Sequence, residues 1–189
     1  MTTICFIRHG ETDWNSVGRL QGRADIPLNH NGRKQANLCG SFLKNTEYDL
    51  LITSPLKRAK ETADIINSHL NLPFIVMDNF IERSFGDAEG MTYEERRNKY
   101  PETHIPNQEE QSIFLERIMK ALEEVNQAYP NKRILLISHG AVINAILSTL
   151  SEGKIGTKKT PLMNGCLSNI HYVNEQWKIK DYNQNHHLE

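Results

Sequence analysis

The chain has 189 residues, 38% hydrophobic and 24% charged, and its 22 basic and 23 acidic side chains leave a formal net charge of −1. That length fits one domain with a substantial core, and the composition excludes a disordered chain. The charge balance excludes a broad electrostatic pull toward nucleic acid or an anionic membrane, so any positive field has to be local.

Thr3 to Arg8 reads as the first strand. Asn31 to about Asn45 reads as a helix with Asn31 as its N-cap. Asp49 to Thr53 is the second strand, and Ser54-Pro55 reads as an N-cap followed by proline at the first helical position. The helix it opens runs to about His69, with Leu56, Ala59, Ala63, Ile66 and Leu70 facing the core. Phe74 to Met77 is the third strand, and Thr92-Tyr93-Glu94-Glu95 is a capping-box pattern opening a short polar helix.

Gln108 to about Ala128 is a longer helix, with Ile113, Leu115, Ile118, Leu122 and Val125 on or near one face. Arg133 to Ser138 is the fourth strand, and its apolar centre Ile134 to Ile137 reads as buried on both faces. Gly140 to Leu150 is an apolar helix, and Ser151 to Gly165 is a loop. Leu167 to Tyr172 and Trp177 to Tyr182 read as two antiparallel strands joined at Asn174-Glu175. Short apolar runs alternating with helices predict an α/β sandwich. With no repeat or linker, residues 1–189 read as one domain.

Cys5, Cys39 and Cys166 are odd in number and show no C-x-x-C spacing, so neither a disulfide framework nor a zinc site is expected. A reducing cytoplasm is the simpler setting. No apolar run approaches the ~20 residues that a membrane helix needs. The polar end, Asn185 to Glu189, reads as a mobile tail.

In a mainly parallel sheet, ligands bind at the carboxyl ends of the strands. The first strand ends in Arg8-His9-Gly10, and the second in Ser54-Pro55 with Arg58 one turn beyond. The third is followed by Glu82, and the fourth ends in Ser138-His139-Gly140. Parallel strands would gather two histidines, two arginines and a glutamate on one edge.

That set suits phosphoryl transfer. Arginine forks match phosphate oxygens with paired hydrogen bonds, and the helix after Ser54 offers further N–H groups. A neutral imidazole is a competent nucleophile near pH 7. His139 can donate to the phosphoryl group, and one carboxyl group, Glu82, can serve as acid and then base.

These residues also carry a family likeness. Arg8-His9-Gly10-Glu11-Thr12 with Asp13-Trp14-Asn15 resembles the opening signature of the histidine phosphatase superfamily, whose members include cofactor-dependent phosphoglycerate mutases. Ser54 to Ala59 with Glu61-Thr62-Ala63 resembles its second block, Glu82 to Gly86 its acid/base block, and Ser138-His139-Gly140 its second-histidine block. The resemblance implies a three-layer α/β/α sandwich around a mainly parallel mixed sheet. It also implies His9 as nucleophile, a phosphate pocket of Arg8, Arg58 and His139, and Glu82 as proton donor. Asn15 would add a phosphate contact, and Gln21-Gly22 would border the pocket. No metal or cofactor is implied, and the expected partner is a small phosphorylated metabolite.

The likeness covers both phosphatases and mutases. Only 56 residues separate Glu82 from His139, and Phe85 stands where the mutases carry tyrosine, which points to a phosphatase like the small bacterial broad-specificity ones. Arg96 and Arg97, beside Glu94 and Glu95, read as a solvated face. The competing readings are mutase-type phosphoryl transfer, an inactive phosphate-binding module, and a metal-dependent hydrolase. Taken singly, His9 is an ordinary strand-end histidine, His139 a helix-start histidine, and Arg58 a surface arginine beside Lys57 and Lys60. Glu82 has rivals in Asp78, Asp87 and Glu89. Trp14 either lines the pocket rim or packs beneath its loop. The segments 92–112 and 151–165 are expected to shape specificity.

Overall fold

The computed structural model describes residues 1–102, 104–156 and 160–189. Parts of both predicted specificity segments, residue 103 and residues 157–159, lie outside the described residues. The strands are β1 (Thr3–Arg8), β2 (Leu50–Thr53), β3 (Phe74–Val76), β4 (Arg133–Ser138), β5 (Leu167–Val173) and β6 (Gln176–Gln184). The helices are α1 (Asp13–Ser16), α2 (His30–Leu43), α3 (Lys57–Leu70), α4 (Tyr93–Lys99), α5 (Gln111–Ala128) and α6 (Gly140–Leu150).

The strands form one sheet in the order β3-β2-β4-β1-β5-β6. β1 to β4 pair in parallel, whereas β5 and β6 are antiparallel. Successive side chains of a strand point to opposite faces, so an all-apolar strand needs cover on both. Ile4, Phe6, Ile52, Ile134 and Leu136 pack on one face with Phe114, Ile118 and Leu122 of α5 and Val142 and Ile146 of α6. Cys5, Ile7, Leu51, Leu135 and Ile137 pack on the other with Cys39 and Leu43 of α2 and Ala59, Ala63 and Ile66 of α3. The result is the expected three-layer α/β/α sandwich. Ile134 to Ile137 are fully buried, and each such side chain contributes about 1.5–3 kcal/mol. The centre of the sheet is thus a stiff base for whatever its edge carries.

Register sets that edge. Ile7 faces Ile137 and Ile137 faces Thr53 across adjacent parallel strands. The residues just beyond, Arg8-His9, Ser54 and Ser138-His139, therefore emerge side by side.

Four local expectations need correction. The cap of α2 is Asn29, whose side chain accepts from Gly32 N, and not Asn31. Ser54 does not cap α3, which starts at Lys57 behind Leu56. Its first N–H, from Lys57, goes to the Asp25 carboxylate at 2.7 Å, so it is not offered to an anion at the strand edge. In α5 the start is Gln111, because Glu109 is held outside the helix with its N–H donating to Ser84 O. Ile113 is 58% exposed there, and Phe114 takes the buried position. The chain end is no loose tail, since His186–Leu188 forms a 3-10 turn in which His187 Nε2 lies 3.0 Å from Gly165 O.

The capping box at Thr92 and Glu95 forms as expected. All three cysteines are free and buried, and burial pushes the thiols of Cys5 and Cys39 up to about 12. They are inert thiols at neutral pH. Among the described residues, no helix is long and apolar enough to cross a membrane.

Candidate active site

His9 follows the last residue of β1 and is 2% exposed. Its Nδ1 lies 2.7 Å from Gly10 O, and its Nε2 lies 3.2 Å from Arg58 Nε. A carbonyl accepts and an arginine N–H donates, so Nδ1 carries the proton and Nε2 presents its lone pair. Burial, then the cations of Arg58 and Arg8, hold the imidazole well below its usual pKa; the Gly10 carbonyl only partly opposes them. The ring is therefore neutral, with one nitrogen free to act as a nucleophile.

Arg58 sits in the first turn of α3 and is 1% exposed. Nη1 donates to Ala24 O at 2.7 Å and Nη2 to Gly22 O at 2.6 Å. The loop around Gly22 thus fixes the guanidinium while Nε turns to His9. Burial pushes its pKa down to about 10, which still leaves it charged at neutral pH. Arg8 donates from Nη1 to Leu162 O, and its buried Nε has no hydrogen-bond partner among the described residues.

Glu82 is 7% exposed. Oε1 accepts from Arg83 N at 2.9 Å and Oε2 from Ala141 N, in the first turn of α6, at 3.1 Å. Burial raises the pKa of the carboxyl group, against the pull of those N–H groups and of Arg58 and Arg8. Its rivals point elsewhere. Glu89 accepts from Arg23 N and Phe85 N, and Asp87 accepts from Asn107. Neither they nor Asp78 line the cavity described next.

Arg8, His9, Asn15, Gln21, Gly22, Arg58 and Glu82 line one cavity of about 640 Å³. His139 is the exception among the expected site residues. It is fully buried behind His9, with ring centroids 5.3 Å apart, and does not itself line the cavity. Its Nε2 is 2.7 Å from Ser54 Oγ, and its Nδ1 has no hydrogen-bond partner among the described residues. Burial, then the nearby Arg58 charge, keeps this ring neutral as well.

Arg19, Arg83, Tyr93, Gln111, Phe114 and Asn144 line the outer wall, with Phe85 beside them. Of these, Tyr93 and Gln111 fall in the segment 92–112 expected to shape specificity, whereas Arg19, Arg83, Phe114 and Asn144 were not foreseen. Arg83 donates Nε and Nη2 to the Glu109 carbonyl at 3.1 and 3.0 Å. The Glu109 carboxylate pairs with Arg117 at 2.7 Å and Arg23 at 3.5 Å. Among the described residues, Arg83 has no carboxylate at salt-bridge distance and keeps a positive charge at the cavity. Arg19, Arg83, Phe114 and Asn144 come from separate helices and loops with no shared spacing, so only three-dimensional placement could reveal them. Trp14 packs on Gly90, and neither it nor Arg96 or Arg97 lines the cavity. Among the described residues, no cluster of three or more histidine, cysteine, aspartate or glutamate side chains is placed to hold a metal ion.

The profile described as "Histidine phosphatase superfamily (branch 1)" matches residues 4–185. The chain belongs to the histidine phosphatase superfamily. Within it, the chain is 52% identical to the "Uncharacterized phosphatase PhoE" of Bacillus subtilis (strain 168), a match covering 100% of this chain and 97% of that protein. It is 31% identical to a "Metal-independent phosphoserine phosphatase" of Arabidopsis thaliana, over 100% of this chain and 84% of that one. Among solved structures, Bacillus stearothermophilus YhfR superposes with a TM-score of 0.92 at 26% identity, each chain covered in full. The family's fold is thus the fold described above.

Proposed function

We propose that this histidine phosphatase hydrolyses small phosphate monoesters through a phosphohistidine at His9, without a metal ion, and that residues 1–189 are a single domain of that kind. The observation that carries the reading is a neutral imidazole whose Nε2 lone pair opens on a cavity flanked by Arg8 and Arg58, with Glu82 on the same wall.

On substrate entry the Arg58 Nε–H passes from the imidazole to a phosphoryl oxygen, and the lone pair attacks phosphorus in line. The N–P bond forms as the bond to the ester oxygen breaks. The leaving alkoxide takes the Glu82 proton. Water then attacks the phosphohistidine and gives its proton to the Glu82 carboxylate, and inorganic phosphate departs. The raised pKa of Glu82 suits the first step, and the lowered pKa of His9 keeps its nucleophile available. Arg8 and Arg58 balance the charge on the equatorial oxygens, with Asn15 and Gln21 as neutral donors. His139, neutral and behind His9, steadies the ring and supplies polarity close to the phosphoryl group.

Hydrolysis rather than mutase transfer is favoured by the rim. Tyr93 lines the cavity yet is 62% exposed, so water reaches the site. Phe85 offers no hydrogen bond to hold an acceptor acid. The charge of Arg83 favours a substrate with a second anionic group, and the relative named a phosphoserine phosphatase makes phosphoserine the first to try.

The test is turnover of an aryl phosphate and of phosphoserine in the presence of a chelator, with acid-quench trapping of the phosphoenzyme. Wild type should turn over and His9→Ala should not. Turnover without any trappable phosphate on residue 9, or activity that the chelator abolishes, would defeat the reading. An inactive binding module would bind phosphate and release none from an ester.

A further inference from the structure

We infer that Asn164 is a positioning residue: it locks the amide of Asn15 with its Nδ2 toward the phosphoryl group and ties that amide to the nucleophile's own backbone. The inference rests on the phosphatase reading above.

The loop before β5 runs along the end of β1, where Gly165 N donates to Arg8 O at 2.9 Å and Arg8 N donates to Cys166 O at 3.2 Å. Asn164 is thereby set opposite His9, 155 residues away in sequence. Its Nδ2 lies 3.0 Å from His9 O and 3.3 Å from Asn15 Oδ1. A primary amide nitrogen carries two hydrogens, so both bonds can be made at once.

The consequence falls on Asn15. Its Oδ1 accepts from Asn164 Nδ2 and, at 3.1 Å, from Thr12 N. With the oxygen held by two protein N–H groups, the amide nitrogen must face the other way, and Asn15 lines the cavity. Gln21 repeats the device, because its Oε1 is 2.7 Å from the Thr12 hydroxyl, which leaves its Nε2 to the cavity. An amide can turn by 180° at little steric cost, and the two ends differ in sign toward an anion. Only the partners of the oxygen decide which end the phosphate meets. Thr12 and Asn164 make that choice for Asn15, and Asn164 alone of the two also grips the His9 carbonyl.

A merely structural Asn164 would close the loop onto β1 and act independently of Asn15. A double-mutant cycle separates the two roles. The readout is the Ki of inorganic phosphate, with kcat and KM for an aryl phosphate, in wild type, Asn15→Ala, Asn164→Ala and the double variant. Each single change should raise Ki about tenfold, the loss of one hydrogen bond to a charged group. The double variant should be no worse than Asn15→Ala. Asn164→Leu, close in shape and uncharged but without donors, should match Asn164→Ala, and it carries the cycle should the alanine variant fail to fold. Effects that multiply in the double variant, or a Ki unchanged by either substitution, would overturn the inference while leaving the phosphatase reading intact. A wild type that neither turns over nor is inhibited by phosphate would end both.

Discussion

Arg58 Nε lies 3.2 Å from His9 Nε2, so the guanidinium already occupies the direction from which phosphorus must come. One cation therefore serves three purposes. It selects the tautomer of His9, it depresses the pKa of that ring, and it waits as a donor for the phosphoryl oxygen. Gly22 O and Ala24 O hold it there while the nucleophile is free.

Arg58→Lys tests whether that geometry matters or only the charge. A lysine has one ammonium group and cannot reach Gly22 O, Ala24 O and His9 together. We expect kcat/KM for an aryl phosphate to fall about 10²–10³-fold, the loss associated with one preorganised donor. Two carbonyls left unpaired should lower stability by about 1–3 kcal/mol in thermal or denaturant unfolding. A loss of less than tenfold in kcat/KM would show that charge suffices.

Glu82 and His9 set opposite limbs of a pH profile. The lowered pKa of His9 places its protonation, and loss of attack, well below the usual 6.5. The raised pKa of Glu82 keeps its proton above the usual 4.5, and activity falls as that proton is lost. The profile of kcat/KM should be a bell, with His9 on its acid limb and Glu82 on its basic limb. Glu82→Gln should abolish the basic limb and cost about 10²–10⁴-fold with alkyl phosphates, and less with aryl phosphates, whose leaving groups need no proton. The substrate's own second ionisation would survive the substitution, so the limb that disappears belongs to the enzyme. Unchanged alkyl phosphate turnover would place the proton donor elsewhere.

The edge was legible from sequence because parallel strands leave no choice about where Arg8-His9, Ser54 and Ser138-His139 emerge. The unbroken apolar runs Ile4 to Ile7 and Ile134 to Ile137 then demanded helices on both faces. Much of the site's support was not legible. Arg58 is held by the carbonyls of Gly22 and Ala24, and the backbone oxygens of a loop carry no residue code. Ser54 had the spacing of a helix cap but turns to His139, because Asp25, remote in sequence, takes the helix N–H instead. The terminal His187 lacked any local signal for its contact with Gly165.

The two buried neutral histidines make stability pH-dependent. His9 and His139 are both held well below 6.5, so between that value and their folded pKa the unfolded chain binds protons that the folded one refuses. Their contribution is fully present above 6.5 and is lost as pH falls. At pH 5.5 the expected cost is about 1 kcal/mol for each ring relative to pH 7.5. Denaturant midpoints at the two pH values measure it. In a Glu82→Gln background, which removes the opposing proton uptake by that raised carboxyl group, His9→Asn should remove about half of the difference, and a midpoint that does not move with pH would mean that the rings accept protons in place.

Gly10 tests how closely the nucleophile's backbone is seated. A Cβ at this position would collide with the backbone carbonyl of Gly32 in the first turn of α2, which cannot swing aside as a side chain would. The same residue supplies the carbonyl that fixes the tautomer of His9, and its N–H donates to Thr62 Oγ1 at 3.0 Å. Gly10→Ala must push β1's end and α2 apart, which should cost about 3 kcal/mol, the upper part of the range for overpacking. The shift moves Gly10 O away from Nδ1 and turns the imidazole. We therefore expect kcat to fall by at least tenfold even at temperatures where the variant is folded, as judged by circular dichroism. Thermal unfolding and steady-state kinetics on the same sample check both parts. A stable variant with wild-type kcat would mean that the strand end has slack, and that the orientation of His9 depends on Arg58 alone.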